Sequence, residues 1–212
     1  MAFATIGTAG IQAQSIDLST KVTGTLPVPN GGLGIASGTT GQFLKFTGTE
    51  TLASATAGIS EADVWRVTSG FTNSANPIAS NWERADTYGA GQLGTGMSQS
   101  SGIFTFPSTG IYRISFNVYF YYGGDSRLME AKILTTLDNS SYNVLSEAVS
   151  FITQSQGGVT YANGSSEGIF DVTNTSTHKC SFRVFVNNSS VAIAGDTNVS
   201  ATYVTFIRLG DT

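Results

Sequence analysis

The sequence predicts an all-β protein built as an antiparallel sandwich, and three observations carry that expectation. Charged residues make up 11% of the 212-residue chain and Gly fills 25 positions, against about 25% and ~7% in average soluble proteins. Much of the polar remainder is Ser, Thr and Asn, a balance that favours sheets and turns. From Trp65 onward, apolar or alternating runs of roughly eight to twelve residues are separated by Gly, Asn, Asp and Pro. No segment sustains a helical period.

The chain divides near Ser60. Residues 1–59 read as an extended Gly- and Thr-rich arm, typified by STKVTGTLPVPNGGLGIASGTTGQFL from Ser19 to Leu44. Its aliphatic residues, among them Ile6, Ile11, Ile16, Val22, Leu26, Val28, Leu33 and Ile35, stand singly, so the arm alone could not offset its ordering entropy. A flexible tail and an anchor ordered by other chains are the two readings. The regular scatter of aliphatics favours the anchor, with Val22, Leu26, Pro27, Val28, Pro29 and Leu33 as its contact residues. At most ~3.3 Å per residue allows such an arm only a short reach.

Residues 60–212 carry the sandwich. In SEADVWRV, Ser60 followed by Asp63 fits a capping box and a single helical turn, or else the first strand. GIYRISFNVYFYY is the clearest strand, with Tyr112, Ile114, Phe116, Val118 and Phe120 on a core face and Arg113, Ser115, Asn117 and Tyr119 opposite. Gly123 to Asp125 turn the chain into RLMEAKILTTL, with Met129, Ala131, Ile133 and Leu137 inward and Glu130, Lys132 and Thr136 outward; a hairpin is the economical expectation. YNVLSEAVSFI, TYANGSSEGIFDVT with a turn signal at Asn163-Gly164, and KCSFRVFV supply further strands. In the closing ATYVTFIRL both parities are apolar, Tyr203, Ile207 and Leu209 on one side and Val204 and Phe206 on the other. One cover is the opposite sheet, and the second is expected to be another subunit, so these five residues form the candidate trimer interface.

A formal net charge of −4 without any basic run argues against nucleic acid as partner. The opening MAFATIGTAGIQAQS has neither the cationic start nor the apolar run of a signal peptide, and no stretch reaches the ~20 residues of a membrane span, so no membrane partner is expected. Cys180 is the lone cysteine, which excludes an internal disulfide or thiolate cluster, and it suits a small buried group. His178, two residues away, makes no established nucleophile pair with it. Glu83, Asp86, Asp125, Glu130, Glu147, Glu167, Asp171 and Asp196 are scattered, without a pair at glycosidase separation, and fit solvated or salt-bridged residues for which Arg66, Arg84 and Arg113 offer partners. DVTNTST at Asp171 lacks the Gly and distal Glu of a calcium loop. No catalytic, cofactor or metal residue is assigned. Tyr121, Tyr122 and Asp125 at a loop tip are the candidate glycan contacts, because aromatic faces beside polar groups suit polyols. Trp65 and Trp82 fit core packing better.

SSGIFTFPSTGIYRISFNVYF, Ser100 to Phe120, resembles the central block of the complement one-q/tumour-necrosis-factor-like jelly rolls, with Gly102, Phe104, Pro107, Gly110, Tyr112 and Phe116 in the matching positions. ATYVTFIRLGDT is similar to that family's final strand, which runs through the middle of its trimer, although the family commonly has F-x-G-F/Y where this chain has Tyr203 to Phe206. The arm's DLSTKVTGTLPVPNGGLGIAS is similar to a segment of tail-fibre and fibre-like proteins of tailed bacteriophages, including those of marine cyanobacteria, with Leu33 where Thr is usual. Together these resemblances imply a non-enzymatic, homotrimeric virion protein. Its arm docks on tail or capsid proteins, and its jelly roll is expected to contact host-surface polysaccharide. A capsid decoration or head-fibre protein is the alternative, and a polysaccharide depolymerase a third reading without an identifiable site.

Overall fold

A computed structural model describes residues 39–49, 51–55, 58–154 and 156–212. The chain falls into two units, Met1–Gly58 and Ile59–Thr212, and the described residues contain strands but no helix. The first unit's regular structure is a hairpin, β1 (Phe43–Gly48) against β2 (Thr51–Ala55), which the reading of an extended arm did not include. Its register sets Phe46 opposite Leu52 and Leu44 opposite Ser54, and Phe43, Leu44 and Phe46 are exposed.

The second unit begins with β3 (Ala62–Val67), so the Ser60–Asp63 pattern opens a strand. There follow β4 (Phe71–Thr72), β5 (Trp82–Arg84), β6 (Ser98–Ser100), β7 (Ile103–Thr105), β8 (Gly110–Tyr122) and β9 (Ser126–Thr136). The chain ends with β10 (Asn143–Ile152), β11 (Thr160–Val172), β12 (Lys179–Val186), β13 (Ala192–Ile193) and β14 (Tyr203–Gly210). They build two antiparallel sheets. One runs β10-β9-β12-β7-β6; in the other, β11 and β14 flank β8, β3 continues beyond β14, and β5 beyond β3, with β13 and β4 extending the β14 side.

Alternation dictates this sandwich. Tyr112, Ile114, Phe116, Val118 and Phe120 are buried as the period-two pattern requires, and they meet Met129, Ala131, Ile133, Cys180, Phe182 and Val184 from the other sheet. Phe104 on β7 sits at the centre, its ring centroid 5.6 Å from Trp65, 5.3 Å from Trp82, 5.3 Å from Phe182 and 5.4 Å from Phe206. Each such aromatic pair adds about 0.5–1.5 kcal/mol beyond its buried area. Both tryptophans therefore belong to the core.

Three local expectations change. β8 and β9 do not form a hairpin, because both edges of β8 are already filled, by β11 along its whole length and by β14 and β13 opposite. The Gly123–Asp125 turn instead carries the chain from one sheet to the other. Asn163-Gly164 is no turn: β11 pairs continuously from Thr160 to Val172, and a Cβ on Gly164 would lie 3.1 Å from the Phe120 ring and 3.2 Å from the Ala131 methyl. Close packing across the core, rather than chain reversal, asks for this glycine. Leu137 is exposed and Thr136 buried, since β9 stops at Thr136 and the turn beyond it is organised by Asp138, whose Oδ1 accepts from the Ser140 and Ser141 N–H groups.

The block from Ser100 to Phe120 acquires a physical meaning. Gly102 has φ +78, and a Cβ there would run into the Ile78 carbonyl oxygen, so the turn between β6 and β7 can approach the 75–78 segment only without a side chain. Tyr112 donates from its hydroxyl to the Ser108 carbonyl at 3.0 Å, which ties the Pro107–Thr109 bend to β8. Burial pushes this phenol up from its ordinary value. Gly102→Ala is expected to lower stability by about 2–4 kcal/mol through the left-handed backbone and the collision with Ile78. Chemical denaturation of the variant checks it.

Candidate functional site

The closing strand lies between β8 and β3, with Val204 opposite Phe116 and Trp65, and Ile207 opposite Arg113 and Ala62. Its two faces have different fates. Val204 and Phe206 are buried in the protomer's own core, Phe206 against Phe104, Phe106 and Phe182. They are therefore removed from the expected subunit interface, because the opposite sheet already covers them. Tyr203 and Ile207 are half-buried on the outward face, and Leu209 is exposed at the irregularity where the register shifts between Arg208 and Gly210.

That outward face carries aromatic and aliphatic side chains towards its ends, with Ser115, Asn117, Ser165 and Thr205 between them. Tyr119 and Tyr121 on β8 stand against Tyr161 on β11, with ring centroids 5.5 and 6.2 Å apart, and Tyr161 is 59% exposed. Ile169 adds an exposed side chain further along β11. The central charges neutralise one another. Arg113 Nη2 donates to Glu167 Oε2 at 2.6 Å, and the same oxygen accepts from Ser115 Oγ at 3.1 Å. This pairing raises the arginine pKa and holds the Glu167 carboxyl below its ordinary range. Apolar side chains around a self-satisfied ion pair suit coverage by protein, since no charge is stranded when water leaves. A second apolar patch lies on edge strand β10, where Val149 and Phe151 point outward, Phe151 67% exposed.

The candidate glycan trio is not brought together. Successive strand residues face opposite sides: Tyr121 joins the outward tyrosines, whereas Tyr122 packs against the core and its hydroxyl accepts from Asn188 Nδ2 at 3.1 Å. Asp125 is held by the backbone N–H of Gln154, donating at 2.7 Å. The six anchoring residues Val22, Leu26, Pro27, Val28, Pro29 and Leu33 lie outside the described residues.

The remaining chemistry-bearing side chains have structural partners. His178 Nδ1 accepts from the Asn174 N–H at 2.8 Å, and its ring meets Phe170 edge-on. Cys180 is fully buried, which pushes its thiol well above the ordinary range. Lys132 bridges Glu130 and Glu147, each at 2.8 Å. Among the described residues no cluster of His, Cys, Asp and Glu could hold a metal, and no helix is long and apolar enough to cross a membrane.

Arg66, which the sequence offered as an ion-pair partner for the scattered carboxylates, gathers a cluster. Arg66 is 1% exposed; its Nη2 donates to Glu83 Oε1 at 3.0 Å and Asp86 Oδ1 at 2.7 Å, and its Nη1 to Thr87 Oγ1 at 2.8 Å. Thr87 Oγ1 in turn donates to the Asn198 carbonyl at 2.6 Å. Asp196 Oδ1 accepts from the N–H groups of Asn198 and Val199. Two loops far apart in sequence, 86–90 and 196–199, are thus pinned together over one buried guanidinium. The sequence offered the ion pairs, but neither the burial of Arg66 nor the joining of the two loops, which brings together residues far apart in the chain.

No family model matches the chain, and no curated protein matches it. Solved structures do. Murine APRIL is similar at 13% identity with a TM-score of 0.50, over 70% of this chain and 98% of that one. Eiger TNF from S. frugiperda is similar at 12% identity with a TM-score of 0.51, over 71% and 93%. At these identities the likeness shows the fold: the sandwich is a tumour-necrosis-factor-like jelly roll, as the Ser100–Phe120 block implied.

Backbone N–H donors hold the Asp138 and Asp196 carboxyls below the ordinary range, those of Ser141 and Ser140 for the first and of Asn198 and Val199 for the second. A carboxyl whose pKa is depressed on folding stabilises fully above its unfolded value, about 3.9, and loses that contribution as pH falls below it. The thermal midpoint is expected to hold from neutrality to about pH 5 and to drop below about pH 4. A double Asp138→Asn, Asp196→Asn variant should melt lower at neutral pH and show a shallower acid decline, read from melts across a pH series.

Proposed function

We propose that the protein is a non-enzymatic structural component of a tailed-bacteriophage virion. It is a homotrimeric appendage whose N-terminal arm docks on other virion proteins and whose jelly roll projects toward host-surface glycans. The observation that carries the assembly is the outward face of the β11-β8-β14-β3 sheet. Tyr119, Tyr161 and Ile169 stand there in water beside one internally neutralised ion pair, and Leu209 is exposed at the end of β14. Large apolar side chains grouped on an open sheet face mark a surface that binds something.

A second patch at Val149 and Phe151 differs in shape and place from the first. Two unlike patches on one body favour a head-to-tail contact that closes into a ring. Three copies is the number implied by the likeness of Tyr203–Leu209 to the final strand of the trimeric jelly rolls. The virion placement rests on the KVTGTLPVPNGGLG motif of the arm, and the glycan target on the polar, aromatic-bearing loops of a chain without an assigned catalytic group.

Ile207→Asp places a charge on the outward face and leaves the protomer core intact. Light scattering is expected to show dissociated copies with an unchanged circular dichroism spectrum, the interface losing on the order of several kcal/mol per site. A variant that stays trimeric with unchanged melting would reject this face as the interface. Immunogold labelling of purified particles is expected to decorate the virion. Label on the head rather than the tail would assign the protein to capsid decoration, and particles free of label would end the virion reading.

A further inference from the structure

The turn Thr87–Ala90 is closed by the Ala90 N–H donating to the Thr87 carbonyl at 3.0 Å, and its two central residues, Tyr88 and Gly89, have φ of 54 and 84. Two positive φ values within one hydrogen-bonded turn define the I′ kind, whose first central position favours Asn, Asp or Gly. A tyrosine is strained there, because its Cβ meets the backbone in the left-handed region. The side chain recovers nothing by packing: Tyr88 is 87% exposed, the most exposed large hydrophobic residue described. Neither local preference nor burial accounts for an aromatic ring at this position, and strain held at an exposed, fixed site is the mark of a residue kept for contact.

The base of the turn is rigid. Thr87 is fixed by Arg66 and by the Asn198 carbonyl, so the ring is presented from a loop whose root is a buried, ion-paired cluster. Loop 196–199 is pinned to the same cluster through the Asn198 carbonyl on Thr87, which sets the exposed residues Thr197 and Asn198 next to the base of the turn, and Asp86 immediately precedes it. Hydroxyl, amide and carboxylate groups near an open aromatic face supply both halves of sugar recognition, stacking on the ring's C–H face and hydrogen bonds to its hydroxyls. Local charge narrows the class. Glu83, Asp86 and Asp196 surround the single cation Arg66, leaving an acidic excess that repels anionic sugars and phosphate.

We infer that the Tyr88 turn and the 197–198 loop form a saccharide-binding tip for neutral hexose or hexosamine units. This rests on the glycan-binding part of the function proposed above, but it uses a different site from Tyr121, Tyr122 and Asp125.

The test uses the full-length protein on a printed panel of bacterial surface polysaccharides containing neutral and anionic members. Wild type is expected to bind neutral members, and Tyr88→Trp to retain them. Tyr88→Asn should lose at least tenfold in binding while its thermal midpoint stays equal or rises, because Asn fits the left-handed position. Unchanged binding by Tyr88→Asn, preference for anionic members, or no binding by wild type would overturn the tip. Dissociation of the trimer in Tyr88→Asn would overturn it as well, by making Tyr88 a subunit contact. The virion placement is judged separately by immunogold labelling, so either idea can fail while the other stands.

Discussion

The constraint on which the sandwich depends is the exclusion of water around Phe104. Its ring comes from the five-stranded sheet and meets Trp65, Trp82 and Phe206 from the facing sheet, with Phe182 beside it on β12. Because side chains alternate along a strand, a slip of one residue in β7, β12 or β14 would turn these rings toward solvent and charged or hydroxyl groups toward the core. Register throughout both sheets is therefore tied to a single aromatic knot. Gly102 contributes by letting β7 come close enough to the 75–78 segment for its ring to reach the centre.

Sparse charge is concentrated where it organises loops. Asp63 and Arg66 both lie on β3 yet serve opposite faces. The Asp63 carboxylate is buried and accepts from Trp65 Nε1 at 2.9 Å, Arg84 Nε at 3.0 Å and the Met97 N–H at 2.7 Å. Arg66 gathers Glu83, Asp86 and Thr87 on the outer side; its Nε finds no acceptor among the described residues. A buried charge must be paired to be tolerated, so each of these residues dictates the conformation of the segments that supply its partners. The segments between β5 and β6 are held from both sides of one short strand.

Faces were legible in the sequence, and partners were not. Tyr112 to Phe120 could be read because period-two alternation directly reports a half-buried strand, and of the two covers expected for the doubly apolar closing strand the opposite sheet is one. Which strand lies beside which depends on chain reversals that leave no local mark, and for that reason the β8–β9 connection was misjudged. Asn163-Gly164 has the chemistry of a turn, but the same glycine also permits close approach, and only the position of Phe120 decides between them. The β1–β2 hairpin went unnoticed because its apolar residues are set among the same Gly and Thr as the rest of the arm. Tyr121 and Tyr122 looked like one site because neighbours in sequence were treated as neighbours in space. Tyr88 was silent, since backbone strain has no compositional signature.

The placement of β14 has a consequence for biosynthesis. It fills the slot between β8 and β3, pairing with β3 from Tyr203 to Ile207 and with β8 as far as Gly210, so a nascent chain that has not yet emitted β14 holds a sheet cleft down the middle, with greasy flanks on either side of the gap. Translation must run through β14 before the domain can shut, and until then those flanks are open to contact with other chains.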